Sequence, residues 1–167
     1  MEATPAVRSS SLDTLASLCL KIAAAALIAL AGVQAWQVFA RYVLNAPPSW
    51  TDPFSLLLMN VTMFLGAAAG VHAESHFGFF IAVENSPARL QRLMKTATRL
   101  IIAAIGALIA GWGAVLVKDG WGINIAGAPL FQGVSYLPLV AGGSMICLFA
   151  VGGLVRAVNA AVDNKQV

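Results

Sequence analysis

The sequence predicts an all-α integral membrane protein: four transmembrane helices plus an amphipathic interfacial helix between the second and third, oriented N-in/C-in. Three observations carry this expectation. Of 167 residues, 59% are hydrophobic and only 10% charged, with mean hydropathy +0.82. Soluble domains carry about 25% charged residues, so a soluble fold of this size would lack the groups to cover its surface. The apolar residues fall in four blocks, each close to the roughly 20 residues that a bilayer core about 30 Å thick requires. Lys and Arg, finally, are spread unevenly over the connections, which sets an orientation.

The first span runs from Ile22 to Val43, with Lys21 placed to snorkel at one end, Arg41-Tyr42 at the other, and Gln34 and Gln37 within it. Lys21, the apolar run Ile22 to Val33 and the step Val33-Gln34-Ala35 imitate a secretory signal. Glu2 and Asp13 in the long preceding region, and apolar character resuming to Val43, predict a retained helix instead. The second span, Pro53 to Val71, contains Asn60 and Thr62 but no charge. The third, Leu100 to Val117, has no polar side chain except the indole of Trp112. The fourth, Leu137 to Val155, is opened by Pro138, whose missing N–H costs little in a first turn. The chain reads as a single membrane domain.

Arg8, Lys21, Arg89, Arg92, Lys95, Arg99, Arg156 and Lys165 lie in the tails and the second connection; Arg41 and Lys118 lie in the first and third. Eight against two predicts cytoplasmic termini and an outward-facing Gly-rich stretch from Lys118 to Tyr136. From Pro87 to Arg99, Arg89, Arg92, Lys95 and Arg99 alternate with Leu90, Leu93, Met94 and Ala97 at helical spacing. This amphipathic segment suits an anionic inner leaflet, or else extends the third span into the cytoplasm. Phe77, Phe79 and Phe80 just upstream suit the membrane interface. Basic residues at the ends of apolar runs are topology charges, so the net charge of +3 does not point to nucleic acid.

Membrane helices associate through close packing, which small residues permit. Gly66 and Gly70 form a G-x-x-x-G in the second span. Ala103, Ala107 and Gly111 form a stripe in the third, with Gly106, Ala110 and Ala114 beside it, and the fourth carries Gly142, Gly143, Ser144, Cys147, Gly152 and Gly153. Internal packing accounts for most such patterns, with room left for a second subunit.

Polar solute transport needs polar or ionisable groups at mid-membrane depth. Only Gln34, Gln37, Asn60, Thr62 and Ser144 are placed there, and no Asp, Glu, Lys, Arg or His is expected near the middle of a span. The chain is therefore poorly equipped to transport by itself. His72 and His76, four apart around Glu74, lack the further ligands that zinc needs and the facing helix that haem needs. Interfacial hydrogen bonding is the expected role, and no cofactor, metal site or disulfide is expected; Cys19 and Cys147 are read as packing residues. No nucleophile motif or phosphate-binding loop supports an enzyme. Outside, Arg41-Tyr42 and Ser49-Trp50-Thr51-Asp52-Pro53 form a polar and aromatic corner, stiffened by Pro47-Pro48, in which Asp52 is placed to cap the second helix. It either joins two helices or, with Arg41 paired to Asp52, presents a surface to another protein.

Arg41-Tyr42-Val43-Leu44-Asn45, then Ser49-Trp50, Leu65-Gly66-Ala67 and His76, in that order, resemble the small permease subunit of tripartite ATP-independent periplasmic (TRAP) transporters. The resemblance extends from about Leu18 to Val158, and four spans with both ends inside also fit it. Asp52-Pro53 stands where the family tends to have one or two Glu, so only Asp52 remains for an acidic role; His76 follows Glu74-Ser75 rather than glycine. The resemblance implies a non-catalytic subunit in the bacterial inner membrane. It would scaffold a large sodium-coupled TRAP permease subunit that works as an elevator, fed with organic acids by a periplasmic substrate-binding protein. On that reading Arg41, Tyr42, Trp50, Asp52, Asn60, Gly66, Gly70 and His76 are interface or structural candidates, and Arg89, Arg92, Lys95 and Arg99 face membrane lipids. The alternatives are an anchor or cytochrome-like subunit of a redox complex, and a small channel formed by oligomerisation.

Overall fold

The computed structural model describes residues 11–73 and 88–163, and among them four helices account for almost all of the chain. They are α1 (Ser11–Tyr42), α2 (Thr51–His72), α3 (Ala88–Gly120) and α4 (Gln132–Asp163). All four are long and apolar enough to cross a membrane. At 1.5 Å per residue α2 measures about 33 Å and the other three nearly 50 Å, so three of them outrun the hydrocarbon core. α1 packs on α2, α2 on α4 and α4 on α3, while α1 and α3 share no comparable seam among the described residues.

The α1–α2 seam is built from alanine. Ala16, Cys19, Ala23 and Ala26 recur at three and four residues on one face of α1, and all are buried. Ala68 and Ala69 are the buried residues of α2's deeper half. The expected G-x-x-x-G contact is thus made mainly by the alanines inside it, since a Cβ on Gly66 would meet only Ala23 Cβ at an ordinary 3.9 Å. Where α2 crosses α4, glycine is required: a Cβ on Gly142 would overlap Phe64 Cβ and its backbone carbonyl.

The α3–α4 seam is the most extensive. Gly106, Gly113 and Gly120 face α4 at seven-residue intervals, against Gly143 and Cys147, Leu139 and Val140, and Gly133 respectively. A seven-residue repeat is the signature of left-handed supercoiled packing. Of the two stripes read from sequence, the one with Gly106 and Ala110 makes this contact, whereas a side chain on Gly111 would meet nothing within 4 Å.

The structure decides between two readings of one segment and corrects two local expectations. Residues 88–99 form the first turns of α3, which runs unbroken to Gly120, so the basic stretch is the extension of the third span and has no helix of its own there. α4 starts at Gln132, which puts Pro138 inside the helix, where its ring removes the N–H that Val134 O would accept. Asp52 does not cap α2: the cap position is Trp50, no side chain caps it, and the helix starts at the fully buried Thr51, whose hydroxyl donates to Pro48 O at 2.8 Å.

Candidate functional site

Two ends of the bundle hold the polar chemistry. At the end where α2 and α4 begin, α1 closes with Asn45 in the left-handed region (φ 52°), a conformation Asn tolerates better than most residues, and Ala46 N–H reaches Ala40 O. This gives the Asn of the Arg-Tyr-Val-Leu-Asn step a physical purpose. Ser49 then donates to Gly127 O at 3.2 Å. Gly127 has φ +88°, and a Cβ there would stand 2.7 Å from Ser49 O, so only glycine lets the two connections lie against each other. The second of them folds back on itself through Ile125 N–H to Leu130 O and Gln132 N–H to Ile123 O. Trp121 stacks on Phe131 beside it.

In this corner Asp52 accepts a hydrogen bond from Gln37 Nε2, and the ion pair with Arg41 weighed above is not formed. Arg41, Tyr42 and Trp50 are all exposed, and the Trp50 ring meets Phe54 edge-on. The corner is therefore a joint between two connections that carries exposed side chains beside it. Gln37, read as a membrane-depth polar group, is instead the residue that ties α1 to the start of α2.

Next to it lies a cavity of about 320 Å³ lined by Leu56 and Asn60 of α2, Asn124 to Ala126 of the connection, and Gln132, Ser135 and Tyr136 of α4. Asn60 Nδ2 donates across it to Ser135 O at 3.2 Å, and Gln132 Nε2 to Tyr136 Oη at 3.2 Å. Thr62 and Ser144 bond to backbone. Thr62 Oγ1 donates to Leu58 O at 2.9 Å and is 3.4 Å from Ala23 O; Ser144 Oγ donates to Val140 O at 2.7 Å. Such bonds satisfy these two hydroxyls locally; the buried Ser55 hydroxyl near the start of α2 has no partner among the described residues.

At the opposite end, His72 Nε2 lies 2.7 Å from Asp13 Oδ1, and its ring packs on Phe149 with centroids 5.0 Å apart. Arg99 Nη1 donates to Gly153 O at 2.8 Å. α1, α2 and α4 are thus fastened at His72, and α3 to α4 at Arg99. The hydrogen-bonding role expected for His72 is present; its partner Asp13, 59 residues earlier, was not foreseen. His76 lies outside the described residues, and Gly70 is half-buried on α2. Arg89, Arg92, Lys95 and Arg99 all belong to the opening turns of α3. Among the described residues no three His, Cys, Asp or Glu gather as metal ligands.

The same register corrects one further expectation. Asp13 faces His72 at the end of α2, and Ala23 lies beside Thr62 near its middle. Lys21 therefore falls well inside the span that α2 defines, and α1's first turns, outside the expected 22–43, belong to the bundle.

Residues 30–160 match the family described as tripartite ATP-independent periplasmic transporters, DctQ component. No curated protein matches the chain.

Proposed function

Since the chain belongs to the DctQ component family of tripartite ATP-independent periplasmic transporters, and is a multi-pass small membrane subunit of such a transporter, we propose that its task is to scaffold the large permease subunit. That large subunit moves the solute; this chain braces it in the bilayer and has no catalysis of its own. The observation that carries the reading is the fate of the membrane-depth polar groups. Asn60, Thr62 and Ser144 bond to carbonyls of their own bundle, and glycine and alanine close the seams between helices. A conduit for a charged solute would need such groups free and facing one another.

The transported solutes are organic acids, their import is coupled to sodium, and a periplasmic substrate-binding protein delivers them to the corner formed by Arg41, Tyr42, Trp50 and Asp52. The membrane is the bacterial inner membrane, with both termini cytoplasmic. Without Lys21 the Lys/Arg count becomes seven against two, which keeps the same sign. The basic turns of α3 then meet the anionic lipid of the inner leaflet.

Affinity purification of the tagged chain in mild detergent tests this reading. The expected result is recovery of a large permease of many spans, together with no uptake by the chain reconstituted alone. Transport by the chain alone would replace the scaffold with a small channel. A haem absorption band on the purified chain would replace it with a redox anchor.

A further inference from the structure

α1 and α2 run antiparallel, and their register is pinned at three levels. Asp13 stands beside His72 at one end, Ala23 beside Thr62 in the middle, and Gln37 beside Asp52 at the other end. The 22 residues of α2 rise about 33 Å, close to the ~30 Å of a hydrocarbon core, so we take its two ends as the reference levels for depth. Lys21 is two residues from Ala23 and thus lies roughly 10 Å inside the His72 end. A lysine stem of four carbons reaches on the order of 6 Å. Extended toward the nearer end, its ammonium still stops short of the level of His72.

The side chain stands on the face of α1 turned away from α2. Ala16, Cys19, Ala23 and Ala26 are buried on one face; Lys21, Ala25, Ile28, Gly32, Ala35 and Phe39 alternate four and three apart on the opposite one, and all are exposed. A side chain on Gly32 would meet nothing within 4 Å. Among the described residues Lys21 has no ion pair. A cation facing lipid at this depth is unfavourable and calls for an anion from elsewhere, and the small residues along the same line permit a second helix to approach closely.

We propose that this outer face of α1 is the docking surface for the large membrane subunit, through a helix that sets an acidic side chain against Lys21. The assignment rests on the scaffold reading above and adds to it the face, the register and the charge of the contact. The stripe offers no second polar group, so the match is one carboxylate against one ammonium in an otherwise apolar seam.

The whole transporter, expressed from its own genes with this chain tagged, is purified in mild detergent as wild type, Lys21→Arg, Lys21→Glu and Gly32→Leu. A photo-crosslinking residue is placed at position 28, with position 63 on α2 as control. Lys21→Arg is expected to recover the large subunit as the wild type does. Lys21→Glu and Gly32→Leu are expected to lower its recovery about tenfold or more, as for truncation of a buried charged contact, at unchanged levels of the tagged chain. Position 28, and not 63, is expected to crosslink to the large subunit. If the wild type recovers no large subunit, the scaffold reading itself fails. If the wild type recovers it, and either Lys21→Glu recovers it equally or position 28 crosslinks only to lipid, the docking face is wrong and the scaffold reading stands.

Discussion

His72 shows how much a single ring can hold in a bundle of small residues. Its Nε2 meets Asp13 at 2.7 Å while its face covers Phe149, so one side chain of α2 reaches two further elements. Asp13 is 41% exposed, which discounts the pair toward the value of a surface contact. Removal of either partner by alanine is expected to lower unfolding stability in detergent by roughly 1 kcal/mol. The double variant His72→Ala with Asp13→Ala should lose little more than one of the singles, because the second change removes a contact already gone. Additive losses in thermal unfolding would show that the two act separately. This pair was illegible beforehand: Asp13 read as a charge preceding a span, and nothing in one sequence pairs residues 59 apart. Arg41 and Asp52, by contrast, are near neighbours with opposite charges, and that proximity left their pairing open as one of two readings. The carboxylate is taken by Gln37, one turn before Arg41 and on the face toward α2.

The four helices were legible as elements because length and hydropathy alone decide them in a membrane. Which faces meet was not, and the reason is physical. Lipid tails are as apolar as leucine, so a lipid-facing stripe and a packed stripe carry the same residues, and hydrophobic periodicity loses its meaning. Small residues narrow the choice without settling it: Gly106 and Gly111 lie on neighbouring stripes of one helix, and only Gly106 touches α4. Its Cβ position is 2.8 Å from Cys147 N, while that of Gly111 has nothing within 4 Å. Gly106→Leu should therefore force α3 from α4 and lower the thermal midpoint strongly, the overpacking itself worth about 1–3 kcal/mol. Gly111→Leu should leave the midpoint near wild type, and equal effects would remove the α3–α4 register described above. The ends of elements were harder still. Pro138 reads as a starting signal, yet α4 begins at Gln132, because the fold-back of Ile123 on Gln132 and the glycine contact of Gly133 with Gly120 fix the first turn upstream.

At the scale of the whole molecule the described charges separate by end. Arg41 and Lys118 close α1 and α3 at the corner where Ser49 meets Gly127, while Lys95, Arg99 and Arg156 cluster toward the end fastened by His72 and Arg99. By the positive-inside rule this separation supports the proposed topology, in which the Ser49–Gly127 end is periplasmic. With Cys19 and Cys147 replaced, Asn45→Cys should react with a membrane-impermeant thiol reagent in intact cells, and Arg156→Cys only after the membrane is opened. The reverse pattern would invert the proposed topology. On the proposed topology the corner has a consequence for transport. Arg41 and Tyr42 are exposed there at the end of α1, and Trp50 on the connection that Ser49 fastens to Gly127, so they offer a rigid surface and contribute little to the bundle's own stability. Arg41→Ala and Trp50→Ala should then leave expression and the thermal midpoint within about 0.5 kcal/mol of wild type, as for surface changes generally, while slowing uptake in cells that carry the whole transporter. Gly127→Ala should slow uptake as well, but by a different route: its Cβ drives Ser49 away and unlocks the connections, so the thermal midpoint falls with it. Normal uptake by both Arg41→Ala and Trp50→Ala would reduce the corner to a turn between helices.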